Sequence, residues 1–245
     1  MEQFTRFSEE DRRLLDELAS GRQAQHAAGE DIIREGQHSP DCHLVLSGLG
    51  CRYKILPDGS RQIMAFLVPG DLCDAEIFIL KEMDHSVGAL TPSTTALISG
   101  EQMKKLLRGP SSMAEALWWG TLTDLGVLRE RIIDHGRRDA RERIAHLLYE
   151  CLVRYRMVGL TEDETFDFPV TQDDLADATG MTPVHANRTL QKMREDGLIS
   201  WKGKRLQILD PERMKEIGGF NANYLHLDRA HDRRDGLSDR VGDLV

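Results

Sequence analysis

Apolar positions along the chain change their spacing near residue 110. Upstream, short apolar runs alternate with Gly, Pro and Asp; downstream, helical periodicity takes over. Residues 8–20 read as a short helix capped by Ser8, with Leu14, Leu15 and Leu18 on one face. Strand-like stretches follow at Asp31–Glu35, His43–Ser47, Cys51–Leu56, Arg61–Val68 and Thr95–Ile98. Pro57-Asp58-Gly59-Ser60 separates two of them and reads as a hairpin turn, because Gly accepts the positive φ such turns demand. Gly36, Gly48, Gly59 and Gly70 recur at intervals of 12, 11 and 11 residues. Short strands at that spacing predict an antiparallel sandwich or jelly roll.

Gly109-Pro110 then breaks the chain, and Ser112-Met113-Ala114-Glu115 has the spacing of a capping box at a helix start. From there Ala114, Trp118, Thr121, Leu125, Leu128 and Ile132 fall at spacings of 4, 3, 4, 3 and 4. That is an a/d seam of about two and a half heptads. A buried helix of one domain would need similar residues, so periodicity alone leaves both readings open. The position between two domains favours a dimer helix. A further helix is expected over Arg138–Arg156, with Ile144, Leu147, Leu148, Cys151, Leu152 and Tyr155 as its apolar stripe. Thr161–Glu164 reads as an acidic loop and Phe166–Val170 as a short strand.

Thr171-Gln172-Asp173-Asp174 opens a short helix, with Thr171 as cap and two carboxylates at the positive end of its dipole. Leu175, Ala176 and Ala178 give it a small buried face, and Gly180 ends it. Thr182-Pro183 starts a second helix running to about Asp196, with Pro at the favoured first position. In that helix Ala186, Leu190 and Met193 face inward. Val184, His185, Asn187, Arg188, Thr189 and Lys192 are left for the outside or the flanks. Two short helices joined by a Gly-containing turn, the second with a polar face, are the layout of a helix-turn-helix. Ile199-Ser200-Trp201 and Leu206-Gln207-Ile208 then alternate around Lys202-Gly203-Lys204-Arg205, a hairpin with a basic tip.

Charge sharpens this picture. The 245 residues carry a net charge of −9, which offers nothing to a polyanion as a whole. Between His185 and Arg205, however, Arg188, Lys192, Arg194, Lys202, Lys204 and Arg205 face only Glu195 and Asp196, a local excess of four positive charges. Phosphate binding needs cations concentrated in this way, since each neutralised phosphate releases condensed counterions. No apolar run approaches the ~20 residues of a membrane span, and Met1-Glu2-Gln3-Phe4 lacks the layout of a secretion signal. The expected location is the cytoplasm, with no membrane partner. Cys42, Cys51, Cys73 and Cys151 form no CxxC or CxxH group, so they read as small apolar residues rather than zinc or cluster ligands.

Several runs extend the argument beyond pattern. They are Asp139-Ala140, Glu142-Arg143-Ile144-Ala145, Thr171 through Ala176, Gly180 through Leu190, and Gly197-Leu198-Ile199. Together they resemble the winged-helix domain of the Crp/Fnr family of bacterial transcription regulators. His43-Leu44-Val45-Leu46-Ser47-Gly48, Gly59 and Pro69-Gly70-Asp71-Leu72 resemble that family's cyclic-nucleotide-binding-type β-roll. The resemblance spans about residues 5–218 and implies an α+β chain in four parts. These are an antiparallel sensor β-roll at 1–109, a long dimerisation helix at 110–137, a winged helix-turn-helix at 138–218 and a C-terminal extension at 219–245. It further implies a homodimer on double-stranded DNA, the second helix of each motif entering the major groove of a two-fold symmetric site, and leaves RNA polymerase as a further partner to consider.

Carried over residue by residue, Arg188 matches the family's base-reading arginine, whose two parallel bonds to guanine are worth about 1–3 kcal/mol of discrimination. Val184 stands where the family often has a base-reading glutamate, leaving an apolar contact suited to a thymine methyl. Asn187 occupies another base-facing position suited to adenine. Thr171, Thr182, His185, Lys192, Lys202, Lys204 and Arg205 are expected to position phosphates rather than specify sequence. Trp118, Thr121, Leu125, Leu128 and Ile132 are the expected dimer contacts.

In the roll, the family's cyclic-nucleotide binders use a glutamate for the ribose and an arginine for the phosphate. The resemblance places Ala75 at the glutamate, with Glu76 one residue off, and His85-Ser86-Val87 at the arginine run. A buried phosphate without its fixed cation is poorly compensated, so cyclic AMP is not the expected effector and no cofactor is assigned. A haem or redox signal through Cys73 with His85, His43 or His38 is a weaker alternative. A cupin-like metal enzyme on the roll would need a His-x-His pair followed by Glu, which His26, His38 and His43 do not reproduce. A ligand-independent DNA-binding regulator is the remaining alternative. Asn221–Leu227 carries enough apolar content to dock, and the chain from Asp228 onward reads as a mobile tail.

Overall fold

The computed structural model describes residues 7–75, 79–80, 82–109 and 111–227. Glu76 and the tail from Asp228 onward, on which part of the sequence reading rests, lie outside the described residues. Helix α1 (Glu9–Ser20) begins where its cap predicts: the Ser8 hydroxyl accepts the Asp11 amide and the Asp11 carboxylate accepts the Ser8 amide. Seven strands follow: β1 (Gln23–His26), β2 (Asp31–Ile33), β3 (Asp41–Ser47), β4 (Gly50–Ile55), β5 (Arg61–Leu67), β6 (Ser86–Ala89) and β7 (Ser93–Ser99). They make two antiparallel sheets, ordered β1-β7-β3 and β2-β6-β4-β5. The turn into β4 requires glycine: Gly48 has φ +90°, and a Cβ there would lie 2.2 Å from Ser93 Oγ.

Three elements of this half are additions to the sequence reading. Strand β1 alternates in burial but is too polar for the sequence to show it, and β6 is buried on both faces, so neither carries an apolar period of two. Helix α2 (Gly100–Arg108) is capped by Ser99 and buries Met103 and Leu106.

Helix α3 (Ser111–Gly136) is about 39 Å long at 1.5 Å per residue. The expected capping box at Ser112 is corrected here. Ser112 lies inside the helix, and its hydroxyl donates to Asp11 Oδ2 at 2.9 Å, pinning α1 to α3. Helix α4 (Ala140–Met157) starts on a capping box formed by Asp139 and Glu142. Its burial is wider than a stripe, for every residue from Ile144 to Leu152 is buried, including His146 and Glu150. The remainder is β8 (Thr165–Asp167), α5 (Gln172–Thr179), α6 (Pro183–Glu195), β9 (Ile199–Lys202), β10 (Arg205–Ile208), α7 (Pro211–Gly218) and a 3₁₀ turn over Ala222–Leu225. No described helix is long and apolar enough to cross a membrane.

Two cores hold the chain. One fills the roll, joining Ile33, Val45, Leu67, Val87 and Ile98 to Leu18, Met103 and Leu117 of the flanking helices. The other takes in Cys51, Tyr53, Ile63, Ala65 and Phe66 of the four-stranded sheet and continues into α4, the helix-turn-helix and the 3₁₀ turn. Phe66 meets Phe168 edge-on with ring centres 5.4 Å apart. Arg154 of α4 crosses the same boundary, donating to Phe66 O at 2.8 Å and to Asp71 Oδ2 at 2.6 Å.

A buried ionic cluster joins α3 to α4. Arg131 pairs with Asp134 and with Glu150 Oε1, while Arg138 bridges Glu130 and Asp134 at 2.9 and 2.8 Å. The Tyr224 hydroxyl donates to Glu150 Oε2 at 2.6 Å. Tyr224 passes so close to α3 that a Cβ on Gly126 would lie 2.7 Å from its carbonyl oxygen.

His146 is enclosed by this cluster and by Phe220, and neither ring nitrogen makes a hydrogen bond. Its Nε2 lies 3.3 Å from Glu130 Oε2, and its Nδ1 3.6 Å from Asp134 Oδ1. Burial drives its pKa below the ordinary value, outweighing the pull of Asp134 and Glu150. The native state therefore holds it neutral, and the unfolded chain binds its proton first as pH falls. Stability from this site is full above pH ~6.5 and is lost as pH falls below it. His26 and His135 are shifted the same way. The expected outcome is that His146→Gln makes the urea midpoint fall less steeply between pH 7.5 and 5.5 than in the parent chain. An unchanged slope would contradict the assignment.

Candidate nucleic-acid interface

The helix-turn-helix is built by local signals. At the start of α5 the Thr171 hydroxyl accepts the Asp174 amide, and Asp174 Oδ2 accepts both the Thr171 amide and hydroxyl. Gly180 ends α5 at φ 62°, ψ 37°, a left-handed conformation that disfavours other residues. Thr182 then caps α6, its hydroxyl accepting the His185 amide at 3.3 Å, with Pro183 at the first helical position. Ala186, Leu190 and Met193 are buried as the spacing predicts. Thr189 is a correction: it is buried, and its hydroxyl donates to His185 O at 3.0 Å.

The opposite side of α6 presents Thr182, Val184, His185, Arg188 and Lys192 to solvent, with Val184 78% exposed. Asn187 is half-buried at its edge. The expected base-reading trio and its phosphate neighbours thus lie on one helix, while Thr171 is exposed at the N-terminus of α5.

Strands β9 and β10 pair antiparallel, and β8 joins them to give a three-stranded wing ordered β8-β10-β9. Lys202, Lys204 and Arg205 are exposed around Gly203 at its tip. The positive count is softened at Arg205, whose guanidinium lies 3.7 Å from Glu162 of the acidic loop. On the far side of the motif Arg141 pairs with Asp196 at 2.7 Å, which removes one acid from the balance near α6.

Two residues assigned no role from the sequence hold this helix-turn-helix in place. Arg143 of α4 donates to Thr179 O at 2.5 Å and to Arg138 O at 3.1 Å, anchoring the end of α5. Its cue was a cation in the first turn of α4, which by itself names no partner. Arg61 of the roll reaches α5 directly, and nothing in its local sequence signals that contact.

On α3, Trp118, Thr121, Leu125, Leu128 and Ile132 are all exposed, Trp118 by 64% and Ile132 by 72%. Leu122 and Ile133, which the strict seam omitted, widen this stripe. Ala114 at the seam's head is half-buried against the roll side.

The expected effector positions do not share one cavity. Ala75 lines a cleft of about 100 Å³ between the Val68–Leu72 turn, α3 and the end of α4. His85 and Ser86 lie elsewhere: the His85 ring bonds Asp84, and the Ser86 hydroxyl accepts the Glu35 amide at 3.0 Å. His43 is held by Asp74 at 2.9 Å, and His26 bonds Thr95. The four cysteines are buried and none is in a disulfide, and burial pushes the Cys51 and Cys151 thiols up to about 12. Among the described residues no cluster of three or more His, Cys, Asp or Glu side chains could hold a metal ion.

Comparison with known proteins meets this geometry at both ends. Residues 23–109 match the cyclic nucleotide-binding domain, and residues 142–217 match the Crp-like helix-turn-helix domain. The nitrogen fixation regulation protein FixK of Bradyrhizobium diazoefficiens is 29% identical over 203 residues, covering 80% of this chain and 82% of that protein. The transcriptional activator protein FnrL of Cereibacter sphaeroides is 28% identical over 206 residues, covering 81% of each. The solved structure of FixK2 from Bradyrhizobium japonicum superposes with a TM-score of 0.73 at 24% identity, over 82% of this chain and 98% of that one. With a roll that matches the cyclic nucleotide-binding domain, a long connecting helix and a winged helix-turn-helix in one chain, this protein belongs to the Crp/Fnr family of DNA-binding transcription regulators.

Proposed function

We propose that this chain regulates transcription as a homodimer that grips a two-fold symmetric operator without calling on cyclic AMP. The observation that carries the proposal is the apolar stripe along α3. Trp118, Leu125, Leu128 and Ile132 stand exposed on one face of a 26-residue helix. Burying each such side chain is worth about 1.5–3 kcal/mol, and a second copy of the same helix is the surface whose spacing fits. Pairing two copies along this seam carries two α6 helices into one assembly. Successive major grooves on one side of a duplex are about 34 Å apart, which sets the separation those helices must reach.

The division of labour on each half-site follows from side-chain chemistry. Arg188 donates two parallel bonds to a guanine, Asn187 pairs with adenine, and Val184 packs against a thymine methyl. Thr171, Thr182, His185, Lys192, Lys202, Lys204 and Arg205 hold the phosphates on either side. The case against cyclic AMP rests on Ala75, His85 and Ser86. Ala75 offers no acceptor to a ribose, and the other two side chains are engaged with Asp84 and the Glu35 amide.

Selection from a random double-stranded DNA pool, with and without cyclic AMP, tests the whole reading. The expected result is a palindrome bound with the same affinity in both arms, by a protein that sediments as a dimer. A monomer in solution, an empty selection or a strong requirement for the nucleotide would overturn it. On the selected operator, Arg188→Ala should flatten preference at one base pair per half-site, a loss of about 1–3 kcal/mol of discrimination. Lys204→Ala should instead weaken all sequences alike and lower the salt slope by about one unit. Quantitative binding to operator variants at several salt concentrations separates the two.

A further inference from the structure

The roll and the helix-turn-helix share an ionic contact that the family-level reading does not use. Arg61 opens β5, directly after the Pro57–Ser60 turn. Its Nε donates to Asp177 Oδ2 at 2.7 Å and its Nη2 to Asp174 Oδ1 at 2.5 Å. Asp174 and Asp177 are three residues apart and lie on the same side of α5. The neighbouring Gln62 side chain donates to Asp177 O at 2.7 Å, so two successive residues of the strand hold one turn of the helix.

Both partners are rigidly placed. On the roll side, the turn is closed by the Leu56 amide bonding Ser60 O at 2.8 Å, and the Arg61 guanidinium lies 5.9 Å from the centre of the Tyr53 ring. On the other side, Asp174 is the residue that completes the cap of α5 with Thr171. One carboxylate therefore serves two tasks: Oδ2 closes the helix start, and Oδ1 takes the arginine from the sensor domain. Helix α5 packs in turn against α6, which carries Arg188. The contact is only partly open to water, with the Asp174 side chain 10% exposed, so solvent screens it less than a surface pair.

We infer that Arg61 is a positioning residue for operator binding: it pins α5 to the sensor roll and so sets the angle at which each α6 is offered to DNA. This rests on the dimeric, operator-binding reading above. A planar guanidinium suits the task because it can meet two carboxylates at once with fixed geometry, which a lysine ammonium does not reproduce. Loosening the pin leaves the chemistry of α6 intact and widens the range of orientations it samples. The cost then falls on operators whose half-sites have one particular separation.

The test has two arms on the full chain. Spin labels at Ile55→Cys and Gln191→Cys, in labelled protein diluted into unlabelled protein, read the distance between roll and α6 within one chain. Arg61→Gln should broaden that distribution, and Arg61→Lys should fall between it and the parent. In the second arm the selected palindrome is compared with versions carrying one or two base pairs more or fewer between the half-sites. Arg61→Gln should lose about three- to tenfold in affinity for the native spacing, with discrimination among spacings shrinking by a similar factor. Asp177→Asn added to Arg61→Gln should cost little more, because the pair is already broken. An unchanged distance distribution overturns the pin whether or not DNA is bound, and an unchanged spacing profile overturns its role in binding. A parent chain that selects no DNA would instead sink the operator reading, leaving the distance arm to decide the pin.

Discussion

Apolar side chains of the four-stranded sheet are shared with the helices that follow the roll. Cys51, Tyr53, Ile63, Ala65 and Phe66 are buried in a cluster that is not confined to the roll. In the intact chain they share a core with α4, Phe168 and the helix-turn-helix. Burial of this kind is non-directional, so it draws the two halves together without choosing an angle between them. The angle is chosen by polar contacts along the same boundary: Arg154 to Phe66 O and Asp71, Arg52 to Asp124, and Arg61 to α5. Adhesion and orientation are thus supplied by different chemistry at one interface.

Those polar contacts are weak arguments for stability and better ones for uniqueness. Removing charges from water costs several kcal/mol per ion, and a buried pair recovers that only with good geometry and extra hydrogen bonds. Arg131 meets these terms, held between Asp134 and Glu150, whose second oxygen is taken by Tyr224. Burial works to raise the Glu150 pKa, yet Arg131 and Arg154 hold it below the ordinary carboxylate range.

What could be read from the sequence follows the range of the interactions involved. The helix-turn-helix was legible because its signals act within a few residues: Thr171 and Thr182 as caps, Pro183 at the first position, Gly180 with positive φ, and the buried spacing of Ala186, Leu190 and Met193. The α3 stripe was legible for a related reason, since its period persists over many turns. Strands β1 and β6 were not, because one is polar and the other buried on both faces, so neither shows alternating apolar residues. Helix α2 needed the burial of only Met103 and Leu106 to form, too short a pattern to separate from a loop. Ser112 misled because a cap depends on where the helix begins, and a start two residues earlier, at Ser111, turns a cap into a contact with Asp11. Arg61 and Arg143 could not be found at all: their partners lie 113 and 36 residues away, and no local rule connects them.

The close passage of Tyr224 over Gly126 bears on how the chain is made. The roll has its own core and can close as soon as residues up to Leu117 have been synthesised. The joint between α3 and α4 has to wait, because Phe220, Tyr224 and Leu225 are among its packing residues and emerge after both helices. Domains fold as units from the N-terminal end during translation, so a nascent chain passes through a stage with a finished roll and an open joint. In that interval Cys51, Tyr53 and Ile63 of the sheet still lack the cover of α4 and the helix-turn-helix, and the segment after α7 is the last piece to close the joint, while the α3 stripe stays exposed in the finished chain.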